Sequence, residues 1–257
     1  MLRIKLAENK DIPFVSSFCG SSLLGTKILC LLNAYGTERD FFSVWYCTDE
    51  NEIQAVISKF DGSVTVLCNE EKCLGDIKAF LDMIGYTSLC CSERVAPVLA
   101  SQGFTAKKAY IYRGKHCGEC VSDLGEELYR DCYSLICENI PDSFESDEEA
   151  YLSFLSDFTF RRRRGLARLK GYTENGRLYS CALTSAETDR AAIISGVACD
   201  SSFRRKGLGK VTVLSVAEEL KREGKAAYVI ALNESAEGFY EHIGFQLTEK
   251  ISFIERK

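Results

Sequence analysis

Arg204-Arg205-Lys206-Gly207-Leu208-Gly209-Lys210 follows closely on the apolar segment Ala191 to Cys199 and opens an amphipathic stretch that runs to about Glu223. Helix starts expose unpaired backbone N–H groups and a partial positive charge, and glycine there lets the backbone approach a phosphate closely. The segment is therefore an anion site by construction. Arg205, Lys206 and Lys210 add positive charge suited to a pyrophosphate. No Gly-Lys-Ser or Gly-Lys-Thr follows, and no Gly-x-Gly-x-x-Gly stands at the strand end, which disfavours ATP and dinucleotides.

Other reactive residues are less suggestive. The 13 cysteines are odd in number and scattered over both halves of a 257-residue chain, unlike a disulfide scaffold. Reduced thiols are expected, with Cys19, Cys30, Cys47, Cys68, Cys90, Cys181 and Cys199 packing in apolar stretches. His116-Cys117-Gly118-Glu119-Cys120 has metal-like spacing, but zinc takes four ligands and no second Cys or His pair is near, so no metal is expected. The run Arg161 to Arg164 reads either as a solvated helix end or as a clamp for phosphates or an anionic partner. A net charge of −5 argues against general nucleic-acid affinity. No run of about 18 apolar residues occurs and charges begin at the N-terminus, so a membrane span and a signal peptide are not expected and the cytoplasm is the expected location.

The elements that must position the glycine loop follow from periodicity. Glu126 to Glu138 and Asp147 to Phe160 carry apolar residues at helical spacing. Leu166 to Thr173 and Arg177 to Thr184 form a hairpin across Glu174-Asn175-Gly176, because Asn-Gly accepts the positive φ angles of a tight turn. Ala191 to Cys199 is a strand, the Gly207 region starts a helix, and Ala226 to Leu232 is a buried strand. Glu234 to Ile243 is a short helix, and strands close the chain from Phe245 to Glu255. In the other half, a strand at Tyr86 to Cys91, a short helix at Glu93 to Ser101, Gly103-Phe104 and a strand ending Tyr110 to Arg113 repeat the later part of this order.

Arg204, Gly207 and Gly209 match the Arg/Gln-x-x-Gly-x-Gly/Ala signature of the GNAT (general N-acetyltransferase) superfamily, which the chain resembles over residues 126 to 257. Asn233, Ala236, Tyr240 and Gly244-Phe245 match a second family segment. The resemblance implies an acetyl-CoA-dependent N-acetyltransferase acting by direct attack in a ternary complex. Val197, Ala198 and Cys199 would bond the pantetheine arm, Arg204, Arg205, Lys206, Gly207, Leu208, Gly209 and Lys210 would hold the pyrophosphate, and Asn233 would line the thioester site. Tyr240 would be the general acid, since a positioned phenol can protonate the departing thiolate, and a strand N–H such as that of Cys199 would hold the oxyanion. Some family members carry a Glu on the strand before the loop, whereas Ala191 to Cys199 has no carboxylate or histidine. Proton removal then goes through water to a residue such as Glu174 or Tyr172, or the amine arrives neutral; His242 beside Tyr240 is the weaker candidate. Asp142, Glu145, Asp147, Glu148 and Glu149 lie where the family's acceptor is bordered, which suggests a cationic amine, small molecule or peptide, although an acidic helix start explains the same residues.

In the first half the segment matching the cradle is Asn69-Glu70-Glu71-Lys72-Cys73-Leu74-Gly75, and Leu99 stands at the position of Tyr240. Two glutamates would repel a pyrophosphate. The expected architecture is α/β (α+β), two GNAT-like domains, each a mixed, mostly antiparallel twisted sheet flanked by helices. Residues 1–117 would be a degenerate copy that covers one side of the acceptor cleft, and 118–257 the catalytic copy, acting as a monomer or homodimer. The alternatives are a non-catalytic acyl-CoA-binding or regulatory module, and a structural interaction protein whose glycine loop is only a helix start.

Overall fold

The computed structural model describes residues 3–50, 52–69, 71–100, 103–115, 121–140 and 146–255. His116 to Cys120, Asp142, Glu145 and the expected boundary after residue 117 lie outside the described residues. The chain forms β1 (Arg3–Leu6), α1 (Ile12–Cys19), α2 (Leu23–Tyr35), β2 (Phe42–Asp49), β3 (Glu52–Phe60), β4 (Ser63–Cys68), α3 (Leu74–Ile84), β5 (Ser88–Ser92), α4 (Ala96–Leu99) and β6 (Thr105–Tyr112). It continues with β7 (Ser122–Asp123), α5 (Tyr129–Asn139), α6 (Glu148–Arg162), β8 (Leu169–Glu174), β9 (Arg177–Glu187), β10 (Ala191–Cys199), α7 (Leu208–Arg222), β11 (Ala226–Ala231), α8 (Glu234–His242) and β12 (Phe245–Glu255). Short 3-10 turns aside, the described residues run through the order β-α-α-β-β-β-α-β-α-β twice. The segment after Gly244 is one continuous strand, not several.

Two compact units emerge, residues 1–110, 231–237 and 247–257 in one and 111–230 with 238–246 in the other. The first orders its strands β1-β2-β3-β4-β5-β12-β6. β4 and β5 are parallel, and β12 runs antiparallel to β5 with Ile251 opposite Ser92. Successive side chains of a strand point to opposite faces. Accordingly Ala55 and Ile57 pack with Leu74, Ile77 and Leu81 of α3, whereas Val56 joins the cluster formed with Val15, Ile28 and Leu32 of α1 and α2. Helices therefore cover both faces of this sheet.

The second unit orders its strands β11-β10-β9-β8-β7, with β10 and β11 parallel and the rest antiparallel. Asn175 and Gly176 both take positive φ, 51° and 78°, and close the β8–β9 hairpin as Asn-Gly should. Asp147 caps α6 by accepting the Ala150 N–H at 2.8 Å. Cys132, Leu135 and Ile136 of α5 and Phe158 of α6 bury against Leu169, Cys181, Leu183 and Ala198.

A buried ionic network ties this unit together away from the glycine loop. Arg168 donates to Glu187, to Glu219 at 2.6 Å and to Glu223 at 2.9 Å; Lys225 reaches Glu187 at 2.8 Å and Glu223 at 2.9 Å. Glu187, at the end of β9, is 1% exposed. Removing its charge would take one of three carboxylates from Arg168 and one of two from Lys225, so Glu187→Gln is expected to lower unfolding free energy in urea by about 1–3 kcal/mol. Hydrogen bonding from Arg168 holds the Glu223 carboxyl down to about 2, below its ordinary 4.5. Because the folded value is the lower one, this contribution is complete above the ordinary value and fades as pH falls toward 2. Denaturation midpoints measured from about pH 6 to pH 3 should therefore fall more steeply in the native protein than in Glu223→Gln.

Candidate functional site

The β10–β11 register runs from Ala191 opposite Ala226 to Ile194 opposite Val229 and stops there. On its other side β10 bulges, since Ser195 faces Leu183 while Ala198 faces Cys181. Gly196 in the bulge has φ +55°, a conformation that favours glycine, and a Cβ there would lie 2.8 Å from Ile136 Cδ1, which would have to shift. An extra residue kinks the strand. Beyond Ile194 the backbone thus has no β11 register, and Val197 and Cys199 are half-buried while Ala198 is in the core. Burial raises the Cys199 thiol, which faces the Gly209 N–H, so it is a protonated thiol and not a thiolate nucleophile.

The loop that follows is pinned at each step. Asp200 accepts the Ser202 N–H at 2.9 Å and pairs with Arg177 at 2.8 Å. Phe203 packs on Tyr179 with ring centroids 4.0 Å apart, and Lys206 Nζ lies 4.0 Å from the Phe203 ring centre. Arg204 is anchored by Asn139 Oδ1 at 2.9 Å, so this arginine serves the loop's position. Arg205 takes φ +63°, and Gly207, the residue capping α7, takes φ +87°. No side chain caps the first turn of α7. A Cβ on Gly209 would meet nothing within 4 Å. The α7 start thus has no side-chain N-cap, its Gly209 N–H is directed at the Cys199 thiol, and exposed Arg205 and Lys206 and half-buried Lys210 stand beside it, an arrangement that suits an anion.

Tyr240 falls in the same compact unit as residues 197–210. It is 7% exposed between Phe239 and Phe245, and burial pushes its phenol up to about 12. Asn233 lies at the start of α8, where its Oδ1 accepts the Ala236 N–H at 2.9 Å, a capping role that its side chain shows without any ligand. His242 and Glu174 are exposed. The arginine run has structural partners: Arg161 pairs with Asp157, Arg162 donates to Tyr129 Oη at 2.8 Å, Arg163 faces Glu126 at 3.6 Å, and Arg164 lies over Phe160. These partners favour the helix-end reading over the phosphate clamp. Glu148 is held by Arg130 at 2.7 Å, and Leu99 is buried. Cys19, Cys30, Cys47, Cys68, Cys90 and Cys181 are buried, and none is in a disulfide. Among the described residues no group of His, Cys, Asp or Glu could hold a metal, and no helix is long and apolar enough to cross a membrane.

Residues 174–254, which include the loop and Tyr240, match the family model of the FR47-like proteins. The [ribosomal protein bS18]-alanine N-acetyltransferase of Escherichia coli (strain K12) is 29% identical over 116 residues, 44% of this chain and 78% of that protein. A tandem GNAT protein from the clavulanic acid biosynthesis pathway superposes with TM-score 0.64 at 12% identity, covering 99% of this chain and 98% of its own. A GNAT-family acetyltransferase from Colwellia psychrerythraea gives TM-score 0.61 at 15% identity, covering 99% and 100%. The C-terminal half is thus similar to FR47-like proteins and to an N-acetyltransferase. The whole chain has the tandem GNAT fold, which accounts for the doubled order of elements.

Within the GNAT domain the two loop glycines differ in what they cost. Gly207→Ala forces a side chain into the left-handed region and should destabilise by about 1–2 kcal/mol. Gly209→Ala meets no neighbour on a helix with ordinary φ, and should stabilise by about 0.5–1 kcal/mol. Urea unfolding of the two variants checks the opposite signs.

Proposed function

We propose that this GNAT domain, residues 118–257, transfers an acetyl group from acetyl-CoA to a primary amine in a ternary complex in the cytosol, and that residues 1–117 are a degenerate copy. The observation that carries the reading is the uncapped, glycine-opened start of α7 directly after the interrupted strand β10. Gly207, Leu208, Gly209 and Lys210 would offer N–H groups to the pyrophosphate, with Arg205 and Lys206 beside them and Arg204 holding the loop to Asn139. Val197, Ala198 and Cys199 would pair with the pantetheine amides through the backbone that β11 leaves free.

Acetyl-CoA supplies the thioester carbonyl as electrophile and a thiolate as leaving group. The chain's own contribution is electrostatic and protonic. A Cys199 N–H would hold the negative charge that develops on the carbonyl oxygen. Tyr240, whose phenol burial keeps protonated at neutral pH, would donate its proton to the leaving sulfur as the nitrogen–carbon bond forms. No carboxylate or histidine lies on β10, so the attacking nitrogen would lose its proton in solution or through water toward Glu174 or Tyr172. The same lack favours the second reading, an acyl-CoA-binding module without turnover.

The Escherichia coli relative is named for an alanine of ribosomal protein bS18, so peptide N-termini belong in the acceptor panel with polyamines, aminoglycosides and lysine. Exposed Glu149 supports a cationic acceptor; Asp147 and Glu148 are engaged by the α6 cap and Arg130. Three outcomes follow. Tyr240→Phe should lower kcat about 100- to 10,000-fold with coenzyme A affinity retained, and a wild type that binds coenzyme A without acetylating any amine would support the module. Gly209→Ala, though more stable, should bind coenzyme A more weakly in calorimetry, because its methyl occupies the ligand's side. Across a series of acceptors, kcat/KM should rise with pH at an inflection that follows each amine's own pKa; a fixed inflection would reveal an enzymic base.

A further inference from the structure

In the first unit the parallel pair β4–β5 also ends early. Ser63, Val64 and Thr65 lie opposite Ser88, Leu89 and Cys90, and the register goes no further. A cavity of about 390 Å³ opens there, its wall including Leu24, Leu67, Asn69, Arg94 and Glu249. β4, β5 and α2 hold the places in the first repeat that β10, β11 and α6 hold in the second. The cavity therefore stands at the counterpart of the acyl-transfer position, and its size is at the small end of the roughly 300–1,000 Å³ typical of ligand sites.

Its chemistry is no longer that of a thioester site. Arg94 Nη2 donates to the carbonyls of Asn69 at 2.9 Å and Cys68 at 3.5 Å, taking the strand-end acceptors that a pantetheine arm would need. Glu71, 4.0 Å from Arg94 Nη1, stands in the segment where the second repeat has its cations. What the cavity offers is a partly exposed guanidinium bonded to the strand-end carbonyls, a carboxylate, and the half-buried side chain of Leu67. Glu249 accepts from the Leu23 backbone N–H, and burial holds its carboxyl above the usual range, a cost that a cationic partner would offset. Lys250 is paired with Glu93 at 3.4 Å, so those two charges offset each other.

We propose that this cavity binds a free α-amino acid with an apolar side chain, its carboxylate on Arg94, its ammonium on Glu249 and its side chain against Leu67. The site is independent of the acyltransferase reading, since no residue of the glycine loop takes part. Titration calorimetry of the full chain with L-leucine tests it, with leucinamide and 4-methylpentanoate as probes that each lack one charge. Saturable binding is expected, unchanged by saturating coenzyme A, and weakened at least about tenfold in Arg94→Ala, in Glu249→Gln and for either probe on the unaltered protein. No binding of leucine, valine or methionine up to about 10 mM overturns the proposal. So does full affinity for both probes, or displacement by coenzyme A, which would assign the amino acid to the C-terminal domain.

Discussion

β10 loses its parallel partner after Ile194, and the chemistry of the C-terminal domain depends on that interruption. A regular parallel ladder would occupy the N–H and C=O groups of residues 195–199 and leave nothing for a ligand to pair with. Gly196, whose positive φ favours glycine, lies in the bulge that β10 makes against β9 just past that point. From the bulge the chain passes into the Asp200-capped turn, Arg204 ties that turn to α5 through Asn139, and left-handed Gly207 releases α7 with its first N–H groups uncapped. One stretch of chain thus joins a strand end without a β11 register to a helix start opened by glycine.

The two repeats show how one fold can keep its frame and change its chemistry. Both have a parallel pair that ends early and a helix that follows. In the second repeat that helix opens on glycine with cations beside it; in the first, α3 opens after Cys73, with Glu71 preceding it and Arg94 bonded to the strand-end carbonyls. The apolar cores that hold the sheets, such as Ile57, Ile77 and Leu89 in the first unit, place no demand on which anion or amine is bound. Selection on the frame and on the site can therefore diverge.

What was legible in the sequence was local. The hairpin at Asn175-Gly176, the strand Ala191–Cys199 and the helix after Gly207 follow from φ preference, apolar run length and helix-start chemistry, each set by residues close in the chain. β1, α1, α2, β2 and β3 leave no such local signature, because α2 is apolar nearly all round and its neighbouring strands carry mixed burial, so neither period stands out. The pairing of β12 with β5 joins residues about 160 positions apart, which no local period records. The partners of Arg161 to Arg164 and the role of Arg94 were hidden for the same reason: a cation's function lies in what the fold brings to it.

Hydrogen–deuterium exchange of the full chain with and without coenzyme A tests the central claim most directly. A single site in the C-terminal domain predicts slowed exchange at the amides of residues 197–199 and 207–210, and no change at residues 71–75. Slowed exchange at residues 71–75, or unaltered exchange at 207–210 with coenzyme A bound, would contradict it.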